Sequence, residues 1–145
     1  MAGVSHDTAV EIARRALQVF GSPAAVWHVR RLDRPNGAYY LVVFGESHAA
    51  DGVAAIDEES GALRGSARLS GRASPIAIDD LRARELAGVP AHADAEMVWC
   101  PCQASQSLLY PFWQIRIHGS SRFVNQQGRV FTEVAPSGPG GSPHA

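Results

Sequence analysis

Apolar residues in the first twenty positions recur with the period of a helix. Ala9, Ile12, Ala13, Ala16, Leu17 and Phe20 fall at i, i+3, i+4, i+7, i+8 and i+11, which is one stripe on a helical cylinder. The spacing predicts a helix from Asp7 to Phe20. Thr8 and Glu11 stand at capping-box separation, and Gly21 and Pro23 supply the stop. Beyond Pro23 the pattern shortens toward alternation. Ala24 to Leu32 alternates imperfectly around Val26, Trp27 and Val29, and Tyr39 to Gly45 is a β-branched and aromatic run entered through Arg34-Pro35-Asn36-Gly37. Gly52–Asp57 and Ala62–Leu69 flank Glu58-Glu59-Ser60-Gly61, a hairpin with glycine where a positive φ is needed. One helix followed by an antiparallel meander is the expectation.

The Ser/Gly/Arg-rich stretch Ser66 to Ser74 reads as a connector ending at Pro75. A second helix is expected from Ile78 to Ala87, with Asp79 and Asp80 at its positive end and Gly88 and Pro90 closing it. Strands are expected at Ala95–Cys100, Tyr110–His118 and Ser121–Asn125, the last turning through Gln126-Gln127-Gly128 into Arg129–Val134. The Pro/Gly/Ser tail, 136–145, reads as disordered.

The two halves align. Leu17 matches Leu86, Val26-Trp27 matches Val98-Trp99, and the run from Tyr39 to Phe44 matches Phe112 to Ile117. Ile56-Asp57 ahead of Gly61-Ala62-Leu63 matches Val124-Asn125 ahead of Gly128-Arg129-Val130. The expected fold is therefore α+β: two tandem helix-plus-antiparallel-meander repeats, at 5–72 and 73–135, with the helices packed on a curled antiparallel sheet.

The hairpin segment Val53-Ala54-Ala55-Ile56-Asp57-Glu58-Glu59-Ser60-Gly61-Ala62-Leu63 resembles the Val-x-x-Asp-x-x-Thr-Gly-x-Val signature of the PepSY and cystatin-like group, with Ser60 where threonine is usual. The plan is also similar to small bacterial immunity proteins. The resemblance covers Asp7–Leu69 well and Ile78–Val134 more loosely. It implies a non-catalytic binder or inhibitor and transfers no catalytic residue.

Composition narrows the chemistry. The chain has 145 residues, 46% hydrophobic and 19% charged, with formal net charge -1. That is too apolar for a disordered chain and lacks the basic excess of a general nucleic-acid binder. All thirteen basic residues are arginine, a usage that fits a GC-rich bacterial genome. Without lysine there is no P-loop, Schiff base or kinase site. No run of eighteen apolar residues and no secretory start is present, so the expectation is a cytoplasmic protein without membrane or nucleic-acid partners.

Three constellations could carry chemistry. The first is Trp99-Cys100-Pro101-Cys102, where Cys-x-Cys could chelate a soft metal with His118 or His28 completing the set. The alternative is a strand end with small buried thiols; a structural disulfide between such close neighbours would be strained. The second is the aromatic set Trp99, Tyr110, Phe112 and Trp113, either a recognition patch or core. Phe112 and Trp113 are adjacent, so their side chains leave opposite faces of a strand. The third is His92-Ala93-Asp94-Ala95-Glu96, which alternates ligand types along one strand face or faces solvent. Glu58 and Glu59 lack a pocket that would raise a carboxyl pKa, and the cluster Arg30, Arg31 and Arg34 either pairs with an acidic partner or, the favoured reading, decorates an edge strand.

The expected function is a non-catalytic binding protein, an inhibitor or immunity protein acting through protein–protein contacts at Trp99, Tyr110, Phe112 and Trp113. Such a protein needs no cofactor, and its exposed patch could be filled by a second copy. The alternative is a small-ligand or metal protein using the Cys100/Cys102 loop and the sheet hollow.

Overall fold

The computed structural model describes residues 3–34, 36–46, 49–69 and 75–135. The tail expected to be disordered, and residues 70–74 of the expected connector, lie outside them. The elements run α1 (His6–Leu17), β1 (Ala25–Arg31), β2 (Ala38–Glu46), β3 (Ala49–Asp57), β4 (Leu63–Arg68), α2 (Asp80–Ala87), β5 (Asp94–Trp99), β6 (Phe112–Ile117), β7 (Ser120–Val124) and β8 (Val130–Phe131). The described residues form a mixed α+β fold, two helices on one open eight-stranded sheet ordered β4-β3-β2-β1-β5-β6-β7-β8.

Helix α1 starts earlier and stops sooner than its apolar stripe predicts. Ser5 caps it, its hydroxyl accepting from the Thr8 N–H at 3.1 Å, so the cap is Ser5 with Thr8 and not Thr8 with Glu11. Gln18 turns left-handed at φ 55°, and its N–H bonds back to the Arg14 and Arg15 carbonyls. Phe20, expected on the buried stripe, falls beyond this stop and is 95% exposed. Helix α2 begins at Asp80 and not at Ile78, because the Asp79 carboxylate accepts the Arg82 N–H at 2.8 Å and sets the first turn there.

Each set of four strands is the antiparallel meander the alternation predicts. The sheet is nonetheless not wholly antiparallel. Its centre is a parallel pair, β1 with β5, where Arg30 faces Val98 and Arg31 faces Trp99. The chain leaves the edge strand β4, crosses a face of the sheet through α2 and returns to the middle. Strand β1 is thus central, so Arg30 and Arg31 do not decorate an edge.

Alternate residues of β2 and β3 serve two cores. Val42, Phe44, Ala54 and Ile56 meet Ala9, Val10, Ala13 and Leu17 of α1. Leu41, Val43, Val53 and Ala55 join a larger cluster on the other face that continues through Met97, Trp113, Ile115 and Ala83 of α2. Trp27 and Trp113 meet edge to face at 5.9 Å on that second face, and the Trp113 indole N–H donates to the Ile78 carbonyl ahead of α2 at 2.7 Å. The helices therefore cover opposite faces and different halves of the sheet.

Some local bonds occur twice. In α1, Arg14 donates to the Gly21 carbonyl at 2.9 and 3.1 Å and to Glu11; in α2, Arg84 donates to the Ala93 carbonyl at 2.7 Å and to Asp80. After β3, the Asp57 carboxylate accepts from the Glu59 and Ser60 N–H groups, and the Gly61 N–H returns to the Asp57 carbonyl. After β7, Asn125 Oδ1 accepts from the Gln127 and Arg129 N–H groups, and the Gly128 N–H returns to the Asn125 carbonyl.

Candidate functional site: the loop between β5 and β6

The two meanders differ most in their first connection. Residues 32–37 join β1 to β2 in six residues, while residues 100–111 join β5 to β6 in twelve. The longer loop is fastened from many sides. The buried Asn125 donates through Nδ2 to the Ala104 carbonyl at 3.0 Å, and the Tyr39 hydroxyl donates to the Leu108 carbonyl at 2.6 Å. Burial pushes the Tyr39 phenol well above its ordinary range, so that donor stays protonated. Gln126 spans the gap to α2, accepting from the Ile78 N–H at 2.8 Å and donating to the Pro111 carbonyl at 3.0 Å. Gln106 donates to the Cys102 carbonyl at 2.7 Å, and Cys102 and Ser105 exchange a pair of backbone bonds at 3.1 Å. A loop with this many carbonyls answered by side chains is a built element of the fold.

Beside the loop lies a groove of about 410 Å³, lined by Ala77, Ala104, Ser105, Gln106, Ser107, Tyr110, Gln126 and Gln127. None of these residues carries a charge at neutral pH. Tyr110 is 44% exposed on its rim. Of the four aromatics expected to form a recognition patch, Tyr110 alone is available. Trp99, Phe112 and Trp113 are buried, because β5 and β6 lie in the middle of the sheet with apolar neighbours above and below. The Arg31 guanidinium covers the Trp99 ring at 4.8 Å, while the buried Trp99 indole N–H has no hydrogen-bond partner among the described residues.

The thiols sit where the loop leaves β5. Cys100 and Cys102 are both free and fully buried. The neighbouring Cys102 thiol, with burial, pushes Cys100 above the thiol range, while the Cys100 thiol beside it holds Cys102 below that range against the effect of burial. The histidines named as partners are elsewhere. His118 occupies the β6–β7 turn at φ 50°, at the far end of β6 and exposed. His28 is on the α1 face, paired with Glu58 at 3.0 Å and meeting the Tyr40 ring at 5.5 Å. A hollow uniting Cys100, His28 and His118 is therefore not formed.

The third constellation is answered by arginine. Glu96 accepts from Arg30 at 2.8 and 3.1 Å and from Arg116 at 2.8 Å, and Asp94 accepts from Arg116 at 2.9 Å. These bonds outweigh burial and hold the Glu96 carboxyl below its ordinary value. His92 lies in the turn before β5. Among the described residues no group of three or more His, Cys, Asp or Glu side chains is arranged to hold a metal ion.

Fold and site define an open-sheet α+β protein with a tethered loop and an uncharged groove. No family model, no curated protein sequence and no solved structure matches the chain. No helix among the described residues is long and apolar enough to cross a membrane.

Proposed function

We propose that the chain is a non-catalytic binding protein, an inhibitor or immunity protein that holds an uncharged, extended segment of a protein partner in the groove beside Tyr110. The observation that carries this reading is an exposed tyrosine on a loop fastened by Asn125, Tyr39 and Gln126, so the anchor is ordered before a partner arrives. Tyrosine brings large contact area with little rotamer freedom to lose, and a preset loop lowers the cost of association. The groove's amides and hydroxyls suit main-chain hydrogen bonds and offer no charge to a charged ligand.

A structural use for the perturbed carboxylates favours binding over catalysis. Burial alone would raise Asp33 and Asp57, yet bonds from Arg31 and from the Ser60 turn hold both below the carboxylate range. Asp80 and Glu96 are held low mainly by bonds from Arg84 and Arg30. Each is fixed in an ion pair or a turn instead of being poised for proton transfer.

The loop stands out further if the chain is read as two PepSY-like units from a duplication. Arg14 and Arg84, Ala13 and Ala83, and Asp57 and Asn125 then occupy matched places and support this relation. On that register Leu17 pairs with Ala87 and Val29 with Val98, which replaces the sequence matches Leu17–Leu86 and Trp27–Trp99. The twelve-residue loop becomes the departure from the common plan, and departures between copies are where a specific function is built.

A photo-crosslinking residue at position 110, compared with one at Arg122 on β7, tests the proposal. A discrete protein adduct is expected from position 110 only; unlabelled wild type is expected to compete it away, and Tyr110→Ala, with an unchanged melting temperature, is expected not to. Equal adducts from both positions, or none from either, count against it.

A further inference from the structure

We propose that the groove beside Tyr110 takes a P-x-x-P stretch in polyproline form, and that its first occupant is this chain's own Pro136-Ser137-Gly138-Pro139, a tethered competitor for any partner. This rests on the reading of the groove as a site for an extended, uncharged segment. The chain is held at the groove's own loop until just before that stretch. The Gln103 side chain donates to the Glu133 carbonyl at 3.2 Å, and Val134 packs against the larger core. Gln103 directly precedes Ala104, which lines the groove. Ala135 alone then separates these held residues from Pro136. Three polyproline steps carry a chain about 9 Å, on the scale of a hollow of about 410 Å³.

Wall and stretch agree in chemistry. Residues 136–143 carry no charge, and neither does the lining. Proline has no N–H, so Pro136 and Pro139 bring no donor to be left unpaired in the groove, while their carbonyls accept. The Tyr110 hydroxyl and the Gln127 side-chain amide are donors on that wall, and neither is used in a hydrogen bond among the described residues. The exposed Tyr110 ring offers a proline the aromatic contact by which grooves read P-x-x-P segments. Because both prolines fix φ, docking costs the stretch little backbone freedom. Tethering adds to this. A short linker sets an effective concentration in the millimolar range, so a stretch that binds in trans with a Kd of about 1 mM still fills the groove in about half of the chains. A protein partner has to displace residues 136–139, which sets a threshold on the proposed binding.

The test uses the purified full chain with the photo-crosslinking residue at position 110, illuminated with no partner present, cut with trypsin and sequenced by mass spectrometry. Expected is an adduct joining position 110 to residues 136–139, within the peptide that begins at Val130, and none from a crosslinker at Arg122. Pro136→Gly with Pro139→Gly should lower that adduct at least about fivefold, with the melting temperature unchanged. Should the double variant fold poorly, the site of the adduct in the unsubstituted stretch still decides. Mixing isotope-labelled with unlabelled chains before illumination is expected to give adducts within single chains only. The proposal is overturned if position 110 joins no residue of 136–139, if the well-folded double variant crosslinks as fully as the parent, or if mixed-isotope adducts show that a second copy supplies the stretch. Its failure leaves the capture of a protein partner by position 110 untouched, and loss of that capture leaves this adduct within the purified chain unchanged.

Discussion

Asn125 and Asp57 end strands β7 and β3 in matching turns, yet only Asn125 must also donate. Its Oδ1 accepts the Gln127 and Arg129 N–H groups at 3.1 and 2.9 Å, and its Nδ2 donates to the Ala104 carbonyl at 3.0 Å, with the residue only 4% exposed. Asn125→Asp keeps the shape and both acceptor bonds but turns the donor into a carboxylate oxygen facing a carbonyl. The lost bond and the stranded buried carbonyl together cost about 2–4 kcal/mol. In a chain of this length that lowers the melting temperature by roughly 6–12 °C. The new carboxyl should titrate above the ordinary aspartate value of about 3.9, because burial and the facing carbonyl disfavour its charge. A raised carboxyl pKa makes the penalty full at neutral pH and smaller on acidification, where the protonated oxygen can donate to Ala104 again. Asp57→Asn is the control. Asparagine keeps the bonds from Glu59 and Ser60, and only the charge and the Arg64 contact at 3.5 Å are lost, for less than about 1 kcal/mol. Thermal unfolding of both variants at pH 7 and pH 4 is the assay. A melting temperature for Asn125→Asp at pH 7 within 2 °C of wild type, or a penalty unchanged between the two pH values, refutes the reasoning.

Further outcomes follow from the same contacts. Glu96→Gln should lower stability at pH 7, with the difference closing as pH falls below the ordinary glutamate value of 4.5, since a carboxyl held low in the fold contributes only while ionised; acid titration of the unfolding midpoint reads it. Arg14→Ala and Arg84→Ala should each cost about 1–2 kcal/mol, and the double variant should show their sum, because the two sites lie on opposite faces; urea unfolding of singles and double measures the coupling. Gly61→Ala and Gly128→Ala both meet positive φ, 77° and 84°, and about 1 kcal/mol of strain. Gly61→Ala should cost more, since its new Cβ would sit 3.1 Å from Val4 Cγ1 while the nearest atom at Gly128 is 3.7 Å away, and the same unfolding assay ranks them.

Periodicity and turn chemistry determined the local elements from the sequence. The helices and the turns after Asp57 and Asn125 are carried by bonds spanning a few residues, and the strands show in local alternation, so each stretch signals its own conformation. Helix ends slipped where one side chain competes with another for the cap, as Ser5 does with Thr8. What the tertiary structure alone decided is which elements become neighbours. The parallel β1–β5 pairing made β1 central, gave Arg30 and Arg31 to Glu96 and Trp99, and buried three of the four aromatics. The antiparallel β5–β6 pairing set Cys100 and His118, which follow those two strands, at opposite ends of the pair, although both stood as candidates for one site. The groove beside Tyr110 joins Ala77, the 104–110 loop and Gln126, distant in sequence and brought together by Gln126 and Trp113 bonding to Ile78. A sequence pattern reports which face of an element is oily, whereas the partner for that face is chosen by the packing of the whole chain.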